Sequence, residues 1–228
     1  MKGLRISMVI NERLGVFIDA LTWDIPKYLK EVEKEAISEN VPIIKRPVQT
    51  LLGFLLRFTQ PDAVLEIGTA IGFSSMLISE YISRDAIIDT IEKVPARIEG
   101  ALKNYNKYNK KDRINLIQGD ALEVLKTLSE KEKIYDFVFM DAAKGQYINF
   151  AECVCKLLKE GGMLVTDNVL QDGNIIQSRY VVTRRDRTIH TRMRKYLYYL
   201  THSEDFNTVI LPIGDGVAVS VKNCKGGF

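Results

Sequence analysis

The chain has 228 residues, enough for one domain with a full core, and its 46% hydrophobic content against 27% charged excludes a disordered polar chain. It has no apolar run long enough to cross a membrane. Its start carries Lys2 and Arg5 but turns polar at Asn11–Glu12–Arg13 without a signal-peptide core, so a cytoplasmic protein is expected. The net charge is only +3, yet between Arg179 and Lys195 seven basic residues face Asp186 alone. Such a patch on a mildly acidic remainder points to an anionic partner at one place, or to a solvated helix face. Cys153, Cys155 and Cys224 form no CxxC pair and are odd in number, so neither a zinc motif nor a disulfide framework is expected.

Residues 1–61 read as a helical N-terminal extension. Glu31–Glu39 has helical composition, Val41–Pro42 interrupts it, and Pro47 opens a second apolar helix near Arg46. From residue 62 to 228 the pattern is that of an α/β core. The runs Ala63–Gly68, Ala86–Glu92, Ile114–Asp120, Tyr135–Ala142 and Gly162–Asn168 read as strands, with helical segments starting near Phe73, Pro95, Ala121 and Gln146. Strand–helix alternation predicts a mostly parallel sheet with helices on both faces, and near-continuous apolar strands fit burial on both sides. Ile189, Met193, Leu197 and Leu200 are spaced as one apolar helix face. Thr208–Ile213 and Val217–Lys222, joined through Gly214–Asp215–Gly216, predict an antiparallel hairpin at one edge. The whole is a single Rossmann-like domain.

Within that frame, Leu65–Ser75 (LEIGTAIGFSS) follows a strand and opens a helix. Its glycines let backbone approach a ligand, and ligands in such sheets bind beyond the carboxyl ends of the strands. Glu92, twenty residues past Gly72 at the end of the next strand, can accept from two ribose hydroxyls. Gly119-Asp120-Ala121 ends the third strand, where an adenine edge would lie. The GxxxG spacing differs from the GxGxxG of pyrophosphate sites, and few basic residues stand by. A nucleoside carrying a sulfonium fits better than a dinucleotide, although a plain strand–helix turn would also use these glycines.

The fourth strand ends FMDAAKGQY and the fifth ends TDN. Both tips belong to the edge that carries the glycine turn. Asp141, Asp167 and Asn168 can therefore converge as oxygen ligands of the kind that suits Mg²⁺. Strand-end aspartates also commonly cap a following helix. Lys144 is three residues past Asp141; it can act as general base when neutral or hold an oxyanion when charged.

Together these residues resemble the metal-dependent class I O-methyltransferases of the catechol and caffeoyl-CoA type, from about Asn11 to Lys222. LEIGTAIGFSS, Ile91-Glu92-Lys93, FMDAAKGQY and TDNVLQDG carry the resemblance. It implies a seven-stranded sheet with one antiparallel edge strand, a homodimer, and S-adenosylmethionine (SAM) as methyl donor. It further implies cofactor contacts at Val41, Glu66, Gly68, Ser74, Glu92, Asp120, Ala121 and Asp141, metal ligation by Asp141, Asp167 and Asn168, and a catalytic Lys144. Within the family, VPIIKRPVQ, DNVLQDG with the following RRDRTIHTRMRKYL, and LPIGDGVAVSVK resemble bacterial tRNA 5-hydroxyuridine methyltransferases. That would make tRNA the partner and 5-methoxyuridine at the wobble position the product. Arg184, Arg185, Arg187, Arg192, Arg194 and Lys195 are then the expected phosphate contacts. A small phenolic acceptor is the alternative. A catalytically silent RNA-binding protein and a nicotinamide dehydrogenase are the readings from other classes; the intact Asp141, Lys144, Asp167 and Asn168 oppose the first, and GxxxG opposes the second.

Overall fold

A computed structural model describes residues 12–178, 180 and 182–224. Lys2, Arg5, Asn11 and Arg179, named above, lie outside the described residues. Three helices come first: α1 (Glu12–Leu21), α2 (Lys27–Ser38) and α3 (Arg46–Thr59), with Pro47 in the first turn of α3. The alternating core then runs β1 (Ala63–Ile67), α4 (Phe73–Tyr81), β2 (Ile87–Glu92), α5 (Pro95–Lys107), β3 (Ile114–Gln118), α6 (Ala121–Glu130), β4 (Tyr135–Met140), α7 (Tyr147–Leu157) and β5 (Leu158–Thr166). It closes with α8 (Arg187–His202), β6 (Phe206–Leu211) and β7 (Val217–Lys222).

The seven strands form one sheet in the order β3-β2-β1-β4-β5-β7-β6. The contacts among β1 to β5 are parallel, while β7 runs antiparallel to both β5 and β6. The reversed strand thus sits at the expected edge of the sheet, one place in from the margin. Three helices precede the core as the sequence indicates. Most of the parallel strands stop one or two residues short of the sequence runs, because those last residues peel away to form site loops. No helix among the described residues is long and apolar enough to cross a membrane. Cys153, Cys155 and Cys224 are all free thiols.

Period-2 alternation splits the core into two layers. Val64, Phe137, Phe139 and Val165 face the layer that holds Leu29 and Val32 of α2, Leu52 and Leu56 of α3, Leu77 of α4 and Tyr105 of α5. Leu65, Ile67, Val138 and Met140 point the other way, onto Leu125 of α6, Val154 of α7, and Met193 and Leu200 of α8. The N-terminal extension is therefore part of the core, with Leu29, Leu52 and Leu56 fully buried.

One carboxylate within this core is fully buried. Glu66 of β1 is fully buried and accepts a short hydrogen bond from the Thr90 hydroxyl on β2, while its Oε1 has no partner. Burial pushes its carboxyl up to about 7, against the opposing pull of Ser74 and Thr90 and with help from the Asp141 charge.

Two outcomes follow from this packing. Leu52→Ala should cost roughly 2–5 kcal/mol of unfolding free energy, read by urea denaturation, because it opens a cavity in the helical layer that α3 shares with α4. Glu66 binds its proton more tightly folded than unfolded, so stability falls as pH rises from 4.5 through about 7. The loss is on the order of 3 kcal/mol at 1.36 kcal/mol per pKa unit. Glu66→Gln should therefore gain on the native protein between pH 5 and pH 8 in parallel urea titrations; a constant difference across that range would contradict the raised carboxyl.

Candidate active site

The carboxyl ends of β1, β2, β3, β4 and β5 open into one cleft of about 820 Å³. Its walls include Gly68, Thr69, Ala70 and Ser74 after β1, Glu92 to Val94 after β2, and Gly119 to Leu122 after β3. Asp141 to Lys144 after β4 and Asp167 and Asn168 after β5 complete the edge. The α2–α3 connection contributes Pro42 to Lys45, and the β6–β7 turn contributes Asp215.

Gly68 is what lets two of these tips meet. It has φ +103°, and a Cβ there would lie 2.2 Å from the Asp141 carbonyl oxygen. The backbone is knit across the tips by Asp141 N–H to Ile67 O at 3.0 Å and Gly68 N–H to Ile91 O at 3.1 Å. Glu92 reaches the cleft wall, but its oxygens already accept backbone N–H groups from Ala70, Lys93 and Val94 at 2.9–3.0 Å. A carboxylate has about four acceptor sites, so it orders the turn while retaining capacity for a hydroxyl. Asp120 caps α6 through Leu122 N–H at 3.0 Å and pairs with Lys93 at 3.2 Å.

Asp141, Asp167 and Asn168 come together as the sequence indicates. Asn168 Nδ2 donates to Asp141 Oδ1 at 2.9 Å, and Asn168 N–H donates to Asp167 Oδ1 at 2.7 Å. Asn168 holds a left-handed backbone, φ 63°. Burial raises the Asp141 carboxyl, opposed by Lys144 and Asn168. Burial followed by the Asp141 charge pushes Asp167 up to about 7. Crowded carboxylates of this kind favour a proton or a cation between them. Among the described residues no three His, Cys, Asp or Glu side chains gather as a metal cluster. The present trio has two carboxylates completed by an amide, and turning that amide would present its oxygen in place of its nitrogen. This donor set fits a hard, oxygen-preferring cation. Lys144 begins a 3-10 turn, Lys144–Gln146, that leads into α7 on the cleft wall.

Two expected cofactor contacts do not line the cleft. Val41 turns back, its N–H donating to Ala36 O at 2.9 Å and its side chain packing on the core. Its neighbours Pro42 to Lys45 form the wall instead. Glu66 lies behind the glycine turn, fully buried against Thr90. Conversely, Lys45, Arg97 and Asp215 line the cleft without having been singled out from sequence. The only signals for them were the VPIIKRPVQ and LPIGDG motifs and a position five past Glu92.

The basic segment flanks the cleft without lining it. Arg184, Arg185 and Lys195 are exposed. Three others hold the local backbone: Arg187 donates to Val182 O at 3.3 Å, Arg192 to Gly145 O at 3.0 Å, and Arg194 to Ile175 O at 3.4 Å. Through Arg192, and with Ile189 over Gly145, α8 packs on the turn that carries Lys144. Met193 and Leu200 are buried as the apolar spacing requires, with Leu197 half-buried beside them.

The O-methyltransferase family model matches residues 20–223. The chain is 30% identical over 196 residues to the tapetum-specific methyltransferase 1 of Arabidopsis thaliana, covering 84% of each. It is 28% identical over 176 residues to a caffeoyl-CoA O-methyltransferase of Populus kitakamiensis, covering 76% of this chain and 75% of that one. Among solved structures, the SAH-bound methyltransferase PaMTH1 of Podospora anserina superimposes with a TM-score of 0.84 at 24% identity, over 98% of this chain and 100% of that one. With its family model spanning nearly the whole chain, this protein belongs to the O-methyltransferase family and is a SAM-dependent O-methyltransferase.

Proposed function

We propose that this enzyme methylates the 5-oxygen of 5-hydroxyuridine at the tRNA wobble position, with a divalent cation such as Mg²⁺ held by Asp141, Asp167 and Asn168. The observation that carries the acceptor is the packing of the basic helix α8 on the Lys144 turn, with Arg184 and Arg185 exposed just before that helix and Lys195 exposed on it. Phosphates of an RNA loop are met by such a surface, and an unstacked base can then enter the cleft. SAM supplies a methyl group on a positively charged sulfur, and a bound divalent cation supplies a template for adjacent oxygens and lowers the pKa of a hydroxyl.

The chain's own residues supply the rest. The Gly68–Ala70 turn, Ser74, Glu92 and the Asp120–Ala121 corner bind and orient the donor. Asp141 belongs to the oxygen trio and its backbone abuts the donor turn at Gly68, which aligns the two halves of the reaction. As the O–CH₃ bond forms and the S–CH₃ bond breaks, the acceptor hydroxyl gives up its proton to water, and the charged Lys144 Nζ on the cleft wall holds the oxyanion that develops. Position and charge, more than any single reactive group, produce the rate.

The second reading is a small phenolic acceptor with vicinal oxygens. It is favoured by the named relatives, one of which is a caffeoyl-CoA O-methyltransferase. The same oxygen trio would serve it.

Protein incubated with SAM, Mg²⁺ and tRNA bearing 5-hydroxyuridine should yield 5-methoxyuridine by nucleoside mass spectrometry. EDTA should abolish the product, and Asp167→Ala should lower the rate at least ~100-fold, the scale seen when a precisely placed charge is lost. RNA that stays unmodified while a catechol is methylated in parallel would replace the first reading with the second.

A further inference from the structure

The β6–β7 turn brings a third carboxylate to the cleft. Asp215 lines the same cavity as Asp141, Lys144, Asp167 and Asn168. The turn is clamped to the chain that leaves the oxygen trio: Val169 N–H donates to Gly216 O and Leu170 N–H to Asp215 O, both at 2.9 Å. Gly216 makes this approach possible, with φ +89° and a Leu170 side chain that would lie 2.3 Å from any Cβ placed there. Asp215 is therefore fixed in relation to Asn168, and it is mostly shielded, its side chain 15% exposed. Lys45, at the start of α3, pairs with it at 2.6 Å. An acid and a base are thus presented side by side next to the oxygen trio, and no step of the transfer described above uses either.

We infer that Asp215, with Lys45 beside it, is a specificity pair that reads the ring edge of the acceptor. This rests on the uridine reading proposed above. On 5-hydroxyuracil the 5-hydroxyl and the 4-carbonyl are adjacent and would face the oxygen trio. The next group around the ring is the N3–H, a donor, and the one after it the 2-carbonyl, an acceptor. A carboxylate followed by an ammonium matches that order of donor and acceptor: Asp215 accepts from N3–H and Lys45 donates to the 2-carbonyl. A carboxylate has about four acceptor sites, so Asp215 can keep Lys45 as counter-ion while accepting from the base. A catechol offers no ring N–H at that place, so the pair would discriminate between the two acceptor classes.

The test compares two stem-loop RNAs, one bearing 5-hydroxyuridine and the other its N3-methyl counterpart, in which a methyl group removes the N3–H donor and leaves both carbonyls in place. The readout is the ratio of kcat/KM for the two RNAs within each protein, which cancels differences in folding and turnover between variants. The native enzyme should prefer the N3–H substrate by roughly 10- to 100-fold, the value of a hydrogen bond to a charged group. In Asp215→Asn, whose amide can turn either end toward the base, the ratio should fall toward one. In Lys45→Gln the preference should persist, because Lys45 reads the neighbouring carbonyl. A native preference that survives intact in Asp215→Asn, or no preference in the native enzyme, would overturn the assignment while leaving the tRNA reading in place. A native enzyme that methylates neither RNA would overturn both.

Discussion

The site depends on how closely the tips of β1 and β4 approach. Gly68 turns through a left-handed conformation with the Asp141 carbonyl oxygen lying where a side chain would begin. Any other residue there would push β4 outward and strain the backbone. This contact ties the glycine turn after β1 to the carboxylate that begins the oxygen trio. The parallel order β2-β1-β4-β5 then sets Glu92 on one side of that pair and Asp167–Asn168 on the other. The proposed donor and acceptor halves are thus neighbours because of strand order, and Asp141 stands at the seam.

The electrostatics of the seam follow from this placement. Asp141, Asp167 and Asp215 share one cleft, and the first two are both raised above the ordinary aspartate range. Fold stability alone gives no reason to collect them, since like charges in a shielded place oppose folding. Lys45 answers Asp215, and Lys144 partly offsets Asp141. The remaining excess of negative oxygen is what a divalent cation would neutralise. Glu66, buried behind the turn, adds to the same local cost. Sites that give up stability in this way are commonly those where chemistry is done.

Much of this was legible in the sequence because its signals are local. Strand runs followed by glycine turns, Pro47 at a helix start and the Gly214–Gly216 hairpin all depend on a few neighbouring residues. The convergence of Asp141 with Asp167 and Asn168 was legible too, because a parallel sheet places every carboxyl end on one edge. What escaped was long-range. Val41 was expected at the cofactor, but a helix-closing hydrogen bond to Ala36 turns it into the core. Glu66 was expected beside it, yet side chains alternate along a strand, and its position in β1 points it toward Thr90 under the turn. Asp215 read only as a turn residue, since nothing in its neighbourhood tells that β7 pairs with β5 and delivers it to the cleft. The basic segment showed its charge but not its division of labour: Arg187, Arg192 and Arg194 anchor backbone, while Arg184, Arg185 and Lys195 face outward.

Asp141, Asp167 and Asn168 are proposed as a cation site around which the transfer is organised. Calorimetric titration of Mg²⁺ into the isolated protein tests it without reference to any acceptor. One saturable site per chain is expected in the native protein, with the heat lost in both Asp141→Asn and Asp167→Asn. No saturable binding in the native protein, or binding that persists unchanged in both variants, would contradict the account.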